Sequence, residues 1–208
     1  MPIDYLVSAL VTLLVVVDPV GLAPTFLAVT HGLPAKARKR IALRACAIAG
    51  LILIGTALIG DWLLRQLGIT LPAFRIAGGL LLFAVAFEMV LGLRLKRDAK
   101  DAEQAVGEHI HDMAAFPLAI PLMAGPGAIT ATILLAGQTA YRPQWLAALL
   151  AVIVAVMAAC LLSFFAADRI GKLLGVTGNV VLSRLLGVIL AALAVQYVVD
   201  GVRAAFGI

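Results

Sequence analysis

The chain is a series of long apolar runs divided by short polar stretches. Six of these runs are each about the twenty residues that an α-helix needs to cross the hydrocarbon of a bilayer. They are Tyr5 to Val29, Ile41 to Gly60 (with an extension to Leu67), Phe74 to Leu93, Phe116 to Ala136, Trp145 to Ala167 and Leu185 to Phe206. A helix satisfies its own backbone groups in lipid, so the pattern predicts an all-α membrane protein with six spanning helices. Two runs contain helix breakers. The first carries Asp18-Pro19-Val20-Gly21-Leu22-Ala23-Pro24 at its middle, and the fourth carries Pro117, Pro121 and Gly125-Pro126-Gly127. Asp is a favoured N-cap and Pro suits the first helical position, so Asp18-Pro19 predicts the start of a second half-helix within the first span. Helices 1 and 4 are thus expected to be broken at mid-membrane, a sequence pointer to a transport site.

The two halves also resemble each other in order. Adding 107 takes Pro19 to Pro126, Thr25 to Thr132, Asp61 to Asp168 and Arg65 to Lys172; adding 109 takes Arg75 to Arg184, Gly78 to Gly187, Gly92 to Gly201 and Arg94 to Arg203. A three-span unit that repeats must insert upside down the second time, which predicts two inverted-topology three-helix repeats. Repeat 1 covers residues 1–95, a charged linker covers 96–115, and repeat 2 covers 116–208.

Composition agrees with the spans. The 208 residues are 63% hydrophobic and 13% charged, against about 25% charged in soluble domains. The net charge of +5 does not signal nucleic acid, because the basic residues cluster in loops. Twelve of them, including Lys36, Arg38, Lys39, Arg40 and Arg44, fall on one side of the membrane. Four, Arg65, Arg75, Arg142 and Arg203, fall on the other. The excess stays in the cytoplasm, so both termini are expected outside. The first span follows no positive n-region and is expected to be retained.

Polar residues inside the spans are the candidate chemistry. Asp18 has two compatible readings: it binds a substrate ammonium, a coupling cation (H+ or Na+) or a proton, or it simply caps the half-helix. The matching position in the second half is Gly125, so the charge is asymmetric between halves. Two half-helix N-termini meeting at the midplane would suit a carboxylate. Pro19, Gly21, Thr25, Gly125, Pro126, Gly127 and Thr130 are the residues placed to line such a site. The glycines allow close approach of a ligand or of a neighbouring helix, and the threonines either face a ligand or bond back to their own helix. Glu88 in the third span either relays protons or reaches the interface or a partner. Asp61 and Asp168 are expected to pair with Arg65 and Lys172 one turn later. Cys46 and Cys160 read as small apolar core residues. His109-x-His111-Asp112 has metal-ligand types in a polar loop, where such residues are usually solvated. No nucleophile elbow, phosphate-binding loop or His-Glu-x-x-His occurs, so neither an enzyme nor a cofactor is expected.

Asp18-Pro19-Val20-Gly21-Leu22-Ala23-Pro24 and the stretch from Pro117 to Thr130 (Pro117-Leu118-Ala119-Ile120-Pro121-Leu122-Met123-Ala124-Gly125-Pro126-Gly127-Ala128-Ile129-Thr130) resemble the two signature stretches of the MarC family. The resemblance covers the whole chain. It implies a multi-pass protein of a bacterial or archaeal cytoplasmic membrane, in a family some of whose members are classed as neutral amino-acid transporters. The expectation is therefore a secondary transporter of small neutral amino acids, of the glycine or alanine type. Export of another metabolite, drug or ion and a non-transporting scaffold remain as alternatives. The many small residues would also permit a homodimer.

Overall fold

A computed structural model describes residues 2–93, 114–139 and 142–207. All regular structure among them is helical. Helix α1 (Pro2–Val17) and α2 (Leu22–Val29) are bent by 42° at the first break. Then come α3 (Ala35–Gln66) and α4 (Leu71–Leu91). The wound segment Ala114–Met123 precedes α5 (Pro126–Gln138) with a 56° bend between them. α6 (Pro143–Phe165) and α7 (Ala167–Phe206) complete the chain. Four helices are long and apolar enough to span a membrane alone, and six spans result if each bent pair counts as one. The His109, His111 and Asp112 group lies outside the described residues.

Local sequence explains the ends. Thr70 caps α4, its Oγ1 accepting the Ala73 N–H at 3.3 Å, with Pro72 in the first turn where its missing donor is no loss. Pro126 and Pro143 open α5 and α6 in the same way. Gly92 ends α4 at φ 70°, a left-handed turn that glycine adopts without strain.

The helices exceed the predicted runs where polar residues can leave the membrane. α3 begins at Ala35 and carries Lys36 to Arg40 in its first turns. Its 32 residues extend about 48 Å, well beyond a hydrocarbon core of about 30 Å. α7 begins at Ala167 and bends at Gly175 (φ 58°), and only Thr177–Phe206 is apolar enough to span.

The broken elements occupy the centre. α1 packs on α5, α6 and α7; α5 packs on α3 and α4; α2 packs on α6 and α7. Outside them lie two pairs, α3 with α6 and α4 with α7. Gly50 meets Met157 and Arg38 meets Asp168, so α3 and α6 run antiparallel. Gly79 meets Val198, Gly187 meets Met89 and Gly201 meets Arg75, so α4 and α7 do too. A methyl group at Gly79 would stand 2.7 Å from the Ala194 carbonyl, which places these helices in near-backbone contact. The outward faces carry Leu51, Leu58 and Trp62 of α3, Leu80, Phe83 and Phe87 of α4, and Leu185, Val188 and Val195 of α7. An apolar girdle of that extent is covered by lipid rather than water.

Candidate functional site

The first break centres on Asp18. Its N–H donates to the Leu14 carbonyl at 2.9 Å, closing α1, and its backbone turns to φ 54°. Apart from glycine, Asp and Asn tolerate that left-handed geometry best. Its carbonyl accepts the Leu22 N–H at 3.1 Å, and its carboxylate Oδ1 accepts the Gly21 N–H at 2.9 Å. One residue therefore ends α1 and caps the turn that leads into α2. The expected half-helix start at Pro19 is moved on: residues 19–21 form a turn and regular helix begins at Leu22. Asp18 is 4% exposed, and Pro19 is buried with it. Gly21 is needed here because a Cβ would overlap the Asp18 carboxylate. Thr25, one turn into α2, is buried.

The second break is built differently. Phe116 and Ile120 take extended φ/ψ values and each precedes a cis proline, Pro117 and Pro121. The Ala124 N–H donates to Ala119, and Gly125 continues extended (φ −79°, ψ 175°). A Cβ at Gly125 would overlap the Pro121 carbonyl, so close approach of backbone to backbone selects glycine. Gly125 has no side chain with which to cap α5, whose first turn is Pro126, Gly127 and Ala128.

The two breaks adjoin. A methyl group at Gly127 would lie 3.4 Å from Val16 of α1, and 3.3 Å from Val85 of α4. The first turn of α5 thus faces the residues leading into Asp18. Thr130 is buried with its methyl turned towards Gly78 of α4. Thr132 donates its hydroxyl back to Ala128 at 2.7 Å. Pro126 is exposed, at the edge of the group. Glu88 is half-buried in the last turn of α4, one turn beyond Val85 and towards the basic loops, so it flanks the breaks.

Asp61 takes its partner from the next turn, with Arg65 Nε at 2.6 Å. Asp168 does not pair with Lys172. It reaches Arg38 of α3 at 3.2 Å, because the corner between α6 and α7 packs against the start of α3. Near it Phe26 of α2 stacks on Phe164 of α6 with ring centres 4.5 Å apart, and Arg38 lies over Phe26. A cavity of about 300 Å³ opens there between Arg38, Lys39, Phe165 and Asp168. Sequence reading missed this basic-end cluster, since Phe26 and Phe164 look like any other apolar residues in their runs. It also missed a polar group formed by Thr12, Arg75, Gln138 and Tyr197. The spacing of Tyr5 and Thr12, two turns apart on one face of α1, was the available signal.

Known proteins place the chain. The profile described as MarC family integral membrane protein matches residues 3–206. A UPF0056 membrane protein of Methanocaldococcus jannaschii is 34% identical over 99% of both chains. One from Archaeoglobus fulgidus is 35% identical over 96% of this chain and 92% of its own. The UPF0056 membrane protein YhcE of Escherichia coli is 35% identical over 93% of this chain and 90% of its own. No solved structure matches. With the family profile and full-length relatives agreeing, the chain belongs to the MarC family of integral membrane proteins.

Proposed function

We propose that the protein is a secondary transporter of small neutral amino acids, working by alternating access around a site between the two breaks. The observation that carries this reading is the close approach of Gly127 to Val16, which sets the first turn of α5 against the residues of α1 that lead into Asp18. A helix start presents free N–H groups and a partial positive charge, and α5 has no side-chain cap to occupy them. In the other break Asp18 already holds the Gly21 N–H. The division of labour follows: the Gly127 and Ala128 end of α5 takes the substrate carboxylate, and Asp18 takes the ammonium or a coupling H+ or Na+.

Alternating access needs two units that rock against each other, and an inverted repeat supplies them. Two contacts support that plan. Gly50 touches Met157, the residue to which an offset of 107 takes it. Arg75 touches Gly201, while Arg184 reaches to 3.9 Å from the Gly92 position, so an offset of 109 exchanges one Arg–Gly pair for the other. We place the basic loops in the cytoplasm and both termini outside.

Uptake of radiolabelled glycine and alanine into proteoliposomes, with imposed proton and sodium gradients, tests the reading. Wild type should accumulate label and Asp18→Asn should not, although Asn keeps an oxygen for the Gly21 N–H. No uptake by wild type under either gradient sinks the amino-acid transporter reading. It would leave transport of another metabolite, drug or ion, or a non-transporting protein in which Asp18 is only the structural cap that its Gly21 bond fits.

A further inference from the structure

A second polar group lies on the side of the breaks away from the basic loops. α1 contributes Thr12, α4 Arg75, α5 Gln138 and α7 Tyr197. The Tyr197 hydroxyl is buried beside Thr12 and Gln138 and within electrostatic reach of Arg75. Tyr5 borders the group and fixes its position by donating to the Leu135 carbonyl at 3.0 Å. Arg75 Nε is buried without a hydrogen-bond partner among the described residues, and the Thr12 hydroxyl, on a residue 0% exposed, has only the Tyr197 hydroxyl beside it. Polar atoms left that way inside a protein are costly, so a ligand that satisfied them would be held.

The charge says what ligand. A guanidinium does not lose its proton, and its planar fork matches the two oxygens of a carboxylate. The neighbouring acid Asp200 is engaged by Gln196 Nε2 at 2.8 Å. The repeat makes the difference between the ends plain. The offset that takes Arg75 to Arg184 takes Glu88 to Tyr197. Arg184 thus reaches Gly92, one turn from an acid on α4, whereas Arg75 has a phenol in the corresponding place. Among the described residues no carboxylate forms an ion pair with Arg75, which leaves its guanidinium open to an anion from solution.

We propose that Arg75, with Thr12, Gln138 and Tyr197, forms a carboxylate-binding subsite between the outer end of the helices and the breaks. Thr12 precedes Asp18 by six residues, about 9 Å along α1. A small zwitterion held by its acid group at Arg75 is therefore close to the point where Asp18 can take over its ammonium. That role in transit rests on the transporter reading; the binding of a carboxylate does not.

The test uses purified full-length protein carrying Trp62→Phe, which leaves Trp145 as the sole tryptophan. Its ring meets that of Tyr5 edge-on with centres 5.8 Å apart, so it reports on the group. Sodium acetate, glycine, methylammonium chloride and sodium chloride are titrated at constant ionic strength, following fluorescence and the unfolding midpoint together. Acetate and glycine should give a saturable response, and the two chloride salts none. Arg75→Gln should weaken acetate by about tenfold or more, the loss expected of a hydrogen bond to a charge. Arg75→Lys should fall between. If Arg75→Gln fails to fold, Tyr197→Phe and Thr12→Val remove a hydroxyl each without touching the charge and should each weaken acetate. Unchanged acetate binding in the variants, equal response to chloride, or no saturable response by either readout overturns the subsite. Acetate binding lost in Arg75→Gln from a protein with no uptake would sink the transporter reading alone.

Discussion

Gly21→Ala is the substitution on which the geometry of the first break and ordinary helix propensity disagree in sign. Gly21 has right-handed helical torsions (φ −64°, ψ −25°). On propensity alone alanine there should stabilise by up to about 1 kcal/mol. The structure adds a larger opposing effect. The new Cβ would stand 2.6 Å from Asp18 Cγ and 3.0 Å from Oδ1, so the carboxylate must leave. With it goes the 2.9 Å bond from the Gly21 N–H, a buried bond to a charged acceptor. Such bonds contribute about 1.5–3 kcal/mol, and the abandoned N–H is included in that loss. The difference leaves a net destabilisation of about 0.5–2 kcal/mol. Asp18→Gly removes the carboxylate while suiting the left-handed backbone at that position. In that background Gly21→Ala should be neutral or stabilising by up to about 1 kcal/mol. Reversible unfolding of the four proteins in mixed detergent measures the cycle, with an expected coupling of about 2 kcal/mol. Equal effects of Gly21→Ala in both backgrounds, or a stabilised single variant, would refute the assignment of Asp18 as the cap.

Three further outcomes follow from packing and exposure. Gly79→Leu should destabilise by about 1–3 kcal/mol or more, since its Cβ meets the Ala194 carbonyl and Val198 at 2.7 Å; Gly55→Ala, with nothing within 4 Å, should not destabilise in the same melts. Cys46 and Cys160 are buried at 7% and 0% exposure, so a polar maleimide should leave both unmodified in the native protein and label both after SDS unfolding. Alanine at Arg38 and at Asp168, singly and together, should reveal a coupling below about 1 kcal/mol, because Asp168 is 64% exposed on its side chain.

The spans were legible because a bilayer demands long apolar runs, and each run contains a helix. Their ends were less so. α3 reaches back to Ala35 through Lys36 and Arg38 because a helix can continue past the membrane, where charge is no hindrance, and no breaker stops it before Pro34. Both breaks were legible from proline and glycine. The left-handed turn at Asp18 was not, since proline after an aspartate reads first as an ordinary cap and helix start. The candidate site residues separate along the same line. Asp18, Gly21, Gly125 and Gly127 carried a signal in their own chemistry. Tyr197 did not, and the charge of Arg75 did not say what it faces, because the group they form depends on which face of α4 meets which face of α7.

The glycine seam between α4 and α7 has a mechanical consequence. Two helices separated by side chains can slide by rotamer changes alone, which is how shear motions are accommodated. Gly79 stands against the carbonyl of Ala194 and Gly187 against that of Ala86. Axial displacement there would drive main chain into main chain, so the pair acts as a keyed joint. One helix of the pair comes from each half of the chain, so the halves can tilt about this joint but cannot slide along it. The bends of 42° before α2 and 56° before α5 then lie in the elements that such a tilt would part or close.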